Sequence, residues 1–142
     1  MKAVLTAIFG KFTALTSLYI RIGGRMYLDE LPKEIPPQFP YIILTVVSFT
    51  RSPDESFGKK MWDIVLQFSI FSSSGSVQEI ADIEDDLRTL YEDCSLTITG
   101  KNLLWSVFDS LTEMTEEIGT TEEGISSAKF WAAQYSMKIE ES

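Results

Sequence analysis

Alternation is clearest between Lys60 and Phe71, where Trp62, Ile64, Leu66, Phe68 and Ile70 are apolar at every second position and Asp63, Gln67 and Ser69 fall between them. A period of two sorts side chains onto opposite faces of a strand. The stretch therefore predicts a strand with one buried and one semi-polar face, as an antiparallel sheet permits. The same period returns near the end of the chain. There Trp131, Ala133, Tyr135, Met137 and Ile139 interleave with Phe130, Ala132, Gln134, Ser136 and Lys138, predicting a strand from Lys129 to about Ile139. Tyr41–Thr50 is denser in β-branched and apolar residues and predicts a buried strand. Ser95–Thr99 and Leu103 to about Met114 predict two shorter strands joined by Gly100-Lys101-Asn102. In the second of these, Trp105, Val107, Phe108 and Leu111 break strict alternation, which a bulge near Asp109 accounts for. Arg25–Leu28 predicts a short strand before them all.

Two stretches carry helical spacing instead. Leu5, Ile8, Phe9, Phe12, Leu15 and Tyr19 form the stripe of an amphipathic helix from about Ala3 to about Leu18, laid over one face of the sheet. Gly10 lies off that stripe and costs about 1 kcal/mol relative to alanine. Gly23-Gly24 end the regular structure. Ser76 with Glu79 makes a capping box for a second helix. Its buried stripe is Val77, Ile80, Ile83, Leu87, Leu90 and Tyr91, with Glu79, Asp82, Glu84, Asp85, Asp86 and Arg88 toward solvent.

Between these elements the chain turns by recognisable means. Four of its five prolines lie between Leu31 and Pro40, which excludes helix or central strand there. That segment sets the direction in which the Tyr41 strand enters the sheet. Arg51–Gly58, with Ser52-Pro53-Asp54, is a long hairpin loop, and Ser72–Ser76 is a short flexible break. Glu116–Gly124 reads as an acidic loop. Helix, short strand, two long strands, helix and three strands make an α+β fold, a mostly antiparallel β-sheet flanked by two main α-helices. At 142 residues the expectation is a single domain over 1–142.

Composition narrows the function by exclusion. The net charge of −9 argues against binding nucleic acid through bulk electrostatics. With no histidine there is no Ser-His-Asp or Cys-His catalysis and no histidine-ligated metal. One cysteine, Cys94, allows no intrachain disulfide. Lys11 interrupts the apolar start and no small-x-small cleavage site follows it, so synthesis in the cytoplasm without secretion is expected. No run approaches the roughly 18 apolar residues of a membrane span.

Candidate chemistry dissolves on inspection. Asp82, Glu84, Asp85 and Asp86 sit on one helix, whereas a divalent cation needs oxygens converging from several directions. A solvated helix face is the reading. Gly119–Gly124 has a Gly-x4-Gly spacing but lacks the following Lys and Ser/Thr of a phosphate loop. Trp62, Trp105 and Trp131 are expected in the core. No catalytic residue, cofactor or metal site emerges.

The order of features does match a known pattern. Ala14-Leu15 in the helix, Gly24-Arg25-Met26-Tyr27, Pro32, Pro40-Tyr41-Ile42 opening a strand and the Trp62–Phe71 strand come first. The Gly75-Ser76 helix start, Leu96 and Gly100 at a late turn, and Phe130-Trp131-Ala132-Ala133-Gln134-Tyr135 in the last strand follow. This chain resembles the tail-completion, or tail-terminator, family of long-tailed phages and prophages. The resemblance implies a structural virion protein that self-assembles as a hexameric ring on the tail tube, stops tube growth and offers a docking surface to the head connector. It implies as partners other copies of itself, the tail tube protein and the connector or neck protein, with DNA passing through an acidic lumen without specific binding. Its place would be the host cytoplasm during assembly and then the virion tail. Because loops between strands make such contacts, the implied interface is Arg51, Asp54, Glu55, Phe57, Lys59 and Lys60 in one loop, and Glu116, Glu117, Thr120, Glu122 and Glu123 in another. Residues 1–13 exceed what the pattern requires and stand as a further subunit or partner contact. Two alternatives stay open: a neck or head-tail joining protein of the same machine, and a small-molecule-binding α+β domain using the acidic cluster.

Overall fold

The computed structural model describes residues 1–14, 16–31, 38–52, 60–73, 77–121 and 124–141, with the backbone alone for 115–121 and 124–128. Its frame is one six-stranded sheet. In chain order the strands are β1 (Met26–Leu28), β2 (Tyr41–Arg51), β3 (Met61–Ser72), β4 (Thr97–Ile98), β5 (Lys101–Thr121) and β6 (Gly124–Glu141). They lie side by side as β1-β2-β3-β6-β5-β4. All neighbours are antiparallel except β1 and β2, which run parallel. Two helices cover the sheet, α1 (Lys2–Phe12) and α3 (Val77–Tyr91), with the short α2 (Ser17–Arg21) after the first.

The period-two stretches land as their pattern predicts. Ile64, Leu66, Phe68 and Ile70 on β3 are fully buried, as are Ala133, Tyr135 and Met137 on β6. The register Phe68↔Ala133 and Leu66↔Tyr135 puts these sets on one face. Each aliphatic side chain buried this way contributes about 1.5–3 kcal/mol. The bulge in β5 falls at Asp109, between the pairs Phe108↔Tyr135 and Ser110↔Gln134, where the broken alternation predicts it. A second shift, between Leu103 and Trp105, was not visible in the pattern. It inserts Leu104 and turns Trp105 away from the helices, so Trp105 is 42% exposed rather than core. Trp62 is half-buried against Phe49, and Trp131 alone of the three takes a core position.

The first helix is shorter than its stripe suggests. α1 stops at Phe12 because Thr16 intervenes: its hydroxyl donates to the Phe12 carbonyl at 3.1 Å and accepts from the Tyr19 amide at 3.2 Å. The same side chain thus closes one helix and caps the next. Val4, Ile8 and Phe12 are the buried positions of α1, one step round from the stripe centre, with Leu5 and Phe9 half-buried beside them. Tyr91 ties α3 to α1 by donating its hydroxyl to the Ile8 carbonyl at 2.8 Å.

On α3, Ile80, Ile83, Leu87 and Tyr91 are buried as expected, but two residues change sides. Val77 is 53% exposed, because the first turn overhangs the sheet. Glu84, expected in solvent, is buried within the apolar stripe and paired with Arg88. Ser76 lies outside the described residues. Glu79 accepts from the Ser72 hydroxyl at 2.6 Å, which joins the end of β3 to the start of α3.

The largest departure is at 116–124. The acidic, glycine-containing stretch is not a broad loop, since β5 continues to Thr121 and β6 begins at Gly124. Pairing runs on through Glu116↔Ala128 to Thr121↔Gly124. Threonine and isoleucine at these positions suit a strand, and composition alone concealed it.

Candidate assembly surface

The described core lies on one face of the sheet, shared by α1, α3 and the inward side chains of β2, β3, β5 and β6. The opposite face is ordered in rows. Register aligns Tyr41, Phe71, Phe130 and Met114 across four strands. Tyr41 stacks on Phe71 at 4.7 Å and Phe71 on Phe130 at 4.8 Å between ring centroids, which gives a continuous aromatic ladder. A second row aligns Gln67 with Gln134, whose amide donates to the Gln67 side-chain oxygen at 3.3 Å. A third pairs Asp63 with Lys138. Along β5 the same face leaves Trp105, Val107 and Met114 exposed. Sequence reading passed over this ladder because Phe71 and Phe130 share their parity with polar residues. Apolar residues at polar parity are the signal that finds them.

The described parts of the two implied interface segments come to opposite ends of the sheet. Arg51 closes β2 opposite Trp62, and the Lys60 carbonyl accepts from the Glu141 amide at 2.9 Å. Around them Trp62 donates its indole N–H to Glu141 at 2.8 Å, and Lys101 approaches the same carboxylate at 3.7 Å. Glu116, Glu117 and Thr120 belong to the far end of β5. Asp54, Glu55, Phe57, Lys59, Glu122 and Glu123 lie outside the described residues.

Beyond the pair Ser72↔Lys129, β3 ends and, among the described residues, only β5 and β6 continue. The distal part is therefore a two-stranded ribbon that projects past the sheet. From Glu116 to Ala128 the sequence holds four glutamates and no lysine or arginine. The ribbon is a strongly anionic projection.

The acidic run on α3 does structural work. Arg21 on α2 donates its Nε–H to Asp86 at 2.6 Å and lies 3.7 Å from Asp82, which anchors α2 to α3. Among the described residues no group of acids and cysteines is placed to hold a metal ion. Beneath α3, Arg88 pairs with Glu84 and lies over the Phe108 ring at 4.0 Å, a cation–π contact. Burial pushes the Glu84 carboxyl above its ordinary range, and Arg88 opposes that shift without cancelling it. Burial likewise raises the Tyr91 and Tyr135 hydroxyls and the Cys94 thiol, so all three stay protonated at neutral pH.

Comparison with known proteins agrees with a structural rather than a chemical reading. Among curated proteins no sequence match is found. A chain from the virion of a native gene transfer agent particle shares the fold, with a TM-score of 0.73 at 11% identity over 98% of this chain and 96% of that one. A second solved structure, whose name carries no functional description, has a TM-score of 0.54 at 13% identity over 96% of this chain and 94% of that one. A family model, "Tail completion protein gp17", matches residues 6–131, from within α1 into β6. The match takes in most of α1, all of α3, strands β1 to β5 and the projecting ribbon with the start of β6, and the chain belongs to the tail completion protein gp17 family.

Proposed function

We propose that this tail completion protein acts by assembling copies of itself, as a hexameric ring, on the end of the tail tube. The ring ends tube growth and presents a docking surface to the head connector, with DNA passing through its lumen. The observation that carries the reading is the projecting β5–β6 ribbon. A two-stranded extension that leaves its own sheet at Ser72↔Lys129 has no further strand beside it among the described residues, and it suits contact between copies. Family membership supports the structural class, and the net charge of −9 fits a channel wall that DNA must pass without sticking. The described parts of the two implied segments, around Arg51–Lys60 and Glu116–Ser127, sit at opposite ends of the sheet. One can meet the tube while the other meets a neighbour. Together residues 1–142 act as one domain in this reading.

Electron microscopy of the purified protein, alone and mixed with tail tubes, tests it. Rings, or caps on tube ends, are the expected result. A protein that stays monomeric at every concentration and leaves tube ends bare would overturn it. Binding to isolated connectors but not to tubes would instead make it a neck protein.

A further inference from the structure

At the end of the sheet opposite the ribbon, α1 and the Ser95–Thr99 segment enclose an open groove of about 730 Å³. One wall is β4, the last strand of the sheet, with β5 on one side and no strand on the other among the described residues. Such a free edge presents unpaired backbone donors and acceptors to any extended segment laid beside it. The other wall is the face of α1 bearing Ala7 and Gly10, with Lys2 and Lys11 toward its two ends. Neither lysine has an ion-pair partner among the described residues.

Gly10 is the telling residue. Glycine is a poor choice in mid-helix, and a Cβ added there would meet nothing within 4 Å. Its own copy gives no packing reason for the missing side chain. Close approach of another backbone along the groove does give one.

We propose that this groove receives the distal β5–β6 ribbon of a second copy, which adds to the free edge of β4 beneath α1. Charge selects this occupant. The groove is lined by two lysines and no acid, and the ribbon carries four glutamates and no base. Among the described residues no strand pairs with the ribbon's outer edges beyond Ser72↔Lys129, so it can supply the added strand. Geometry makes the contact intermolecular. β5 runs 21 residues from the groove end to the ribbon end, about 65 Å at ~3.3 Å per residue, and a strand cannot fold back on its own start. Plug and socket on opposite ends of one subunit form a heterologous contact, which closes into a ring when the rotation allows. The inference rests on the ring reading and names the surfaces that would join its subunits.

The test compares wild type with Gly10→Leu, with Lys2→Glu/Lys11→Glu, with Glu116→Lys/Glu117→Lys, and with all four charge changes combined. Assembled mass is read by light scattering after size exclusion, with and without tail tubes, and folding by circular dichroism and thermal melting. Gly10→Leu should melt at or above the wild-type temperature yet weaken self-association at least tenfold. Each charge reversal alone should do the same, and the combined exchange should restore assembly. A wild type that forms rings while Gly10→Leu forms them equally well would sink the groove contact and leave the ring reading standing. A wild type that never assembles, even on tubes, would sink both. If Gly10→Leu keeps self-association but loses tube binding, the occupant is the tube protein and the proposed one is wrong.

Discussion

Arg25 Nε donates to the carbonyl oxygen of Pro40 at 2.9 Å, and its Nη2 donates to the Phe39 carbonyl at 3.2 Å. One guanidinium thus holds the exit of the proline-rich segment just before β2 begins at Tyr41. The amide of Ile42 completes the link by donating to the Arg25 carbonyl at 2.9 Å. Gly23 makes room for the clamp, since its φ is +61° and a Cβ there would stand 2.7 Å from Arg25 Nη1. Arg25→Ala should lose about 2 kcal/mol, the scale of charge-assisted hydrogen bonds that are not fully buried. Gly23→Ala should lose about 1–2 kcal/mol from the left-handed backbone alone, and more from the displaced guanidinium. In urea unfolding, the double variant should lose less than the sum, because the clash disappears with Arg25. Strict additivity would show that Gly23 and Arg25 act independently.

Glu84 supplies a pH dependence of definite sign. Its carboxyl is raised above the ordinary 4.5 chiefly by burial, with Arg88 pulling the other way and Asp85 and Glu92 adding to the rise. The folded state therefore holds this proton more tightly than the unfolded chain. Its contribution to stability is fully present below the unfolded value and is lost as pH rises through the folded one. Glu84→Gln keeps an acceptor for Arg88 and removes the titration. The stability of wild type relative to Glu84→Gln should thus fall as pH climbs from about 4.5 toward neutrality. Urea unfolding of both proteins across that window reads the difference, and parallel curves would count against it.

Side-chain periodicity carried most of the sheet. Ile64 to Ile70 and Ala133 to Ile139 declared their face by alternation, and even the Asp109 bulge left a mark in the spacing. What stayed hidden depended on contacts between distant segments. Helical spacing does set Glu84, and not Asp85, on the Ile80–Leu87 stripe, but its charge argued for solvent, and the burial shows only once Arg88, Phe108 and the sheet are placed beside it. Thr16 looked like any polar residue between two apolar turns, and its capping role emerged from the bonds to Phe12 and Tyr19. The ribbon was missed because glycine and glutamate at 116–124 outweighed β-branched neighbours in the reading. Its strand character comes from pairing across β6. The groove beside Gly10 could not be seen at all, because it needs α1 and β4 placed together.

Tyr91 joins three elements through separable contacts. Its hydroxyl donates to Ile8 on α1, its ring stacks on Phe68 of β3 at 5.0 Å, and its carbonyl accepts from the Ser106 hydroxyl on β5 at 2.7 Å. Tyr91→Phe removes only the first and should cost about 1 kcal/mol. Tyr91→Ala removes the ring as well and should cost about 3–5 kcal/mol, as truncation of a large buried aromatic does. Thermal melts of the two variants should therefore differ widely. Near-equal losses would mean that the hydroxyl, not the ring, secures α3.

The bulge at Leu104 leaves Trp105 facing outward, and tryptophan itself reports the outcome. With the bulge in place, Trp105 pairs opposite Lys138 on the helix-free face, whereas Trp131 is 8% exposed and Trp62 is covered by Phe49. Acrylamide should quench a readily accessible part of the fluorescence in wild type, and Trp105→Phe should remove that part selectively. Trp105→Ser should change stability by less than about 1 kcal/mol, while Trp131→Ser should cost about 3–5 kcal/mol. Deleting Leu104 joins Leu103, opposite Ile139, directly to Trp105, opposite Lys138, and so restores strict alternation with Trp105 still outward and Ser106 still facing Met137. The deletion should therefore keep the quenchable fluorescence of Trp105 and cost little more than Leu104→Ala, because the facing of 105–108 is unchanged. Loss of that accessible signal in the deletion variant would show that β5 shifts its register against β6 instead.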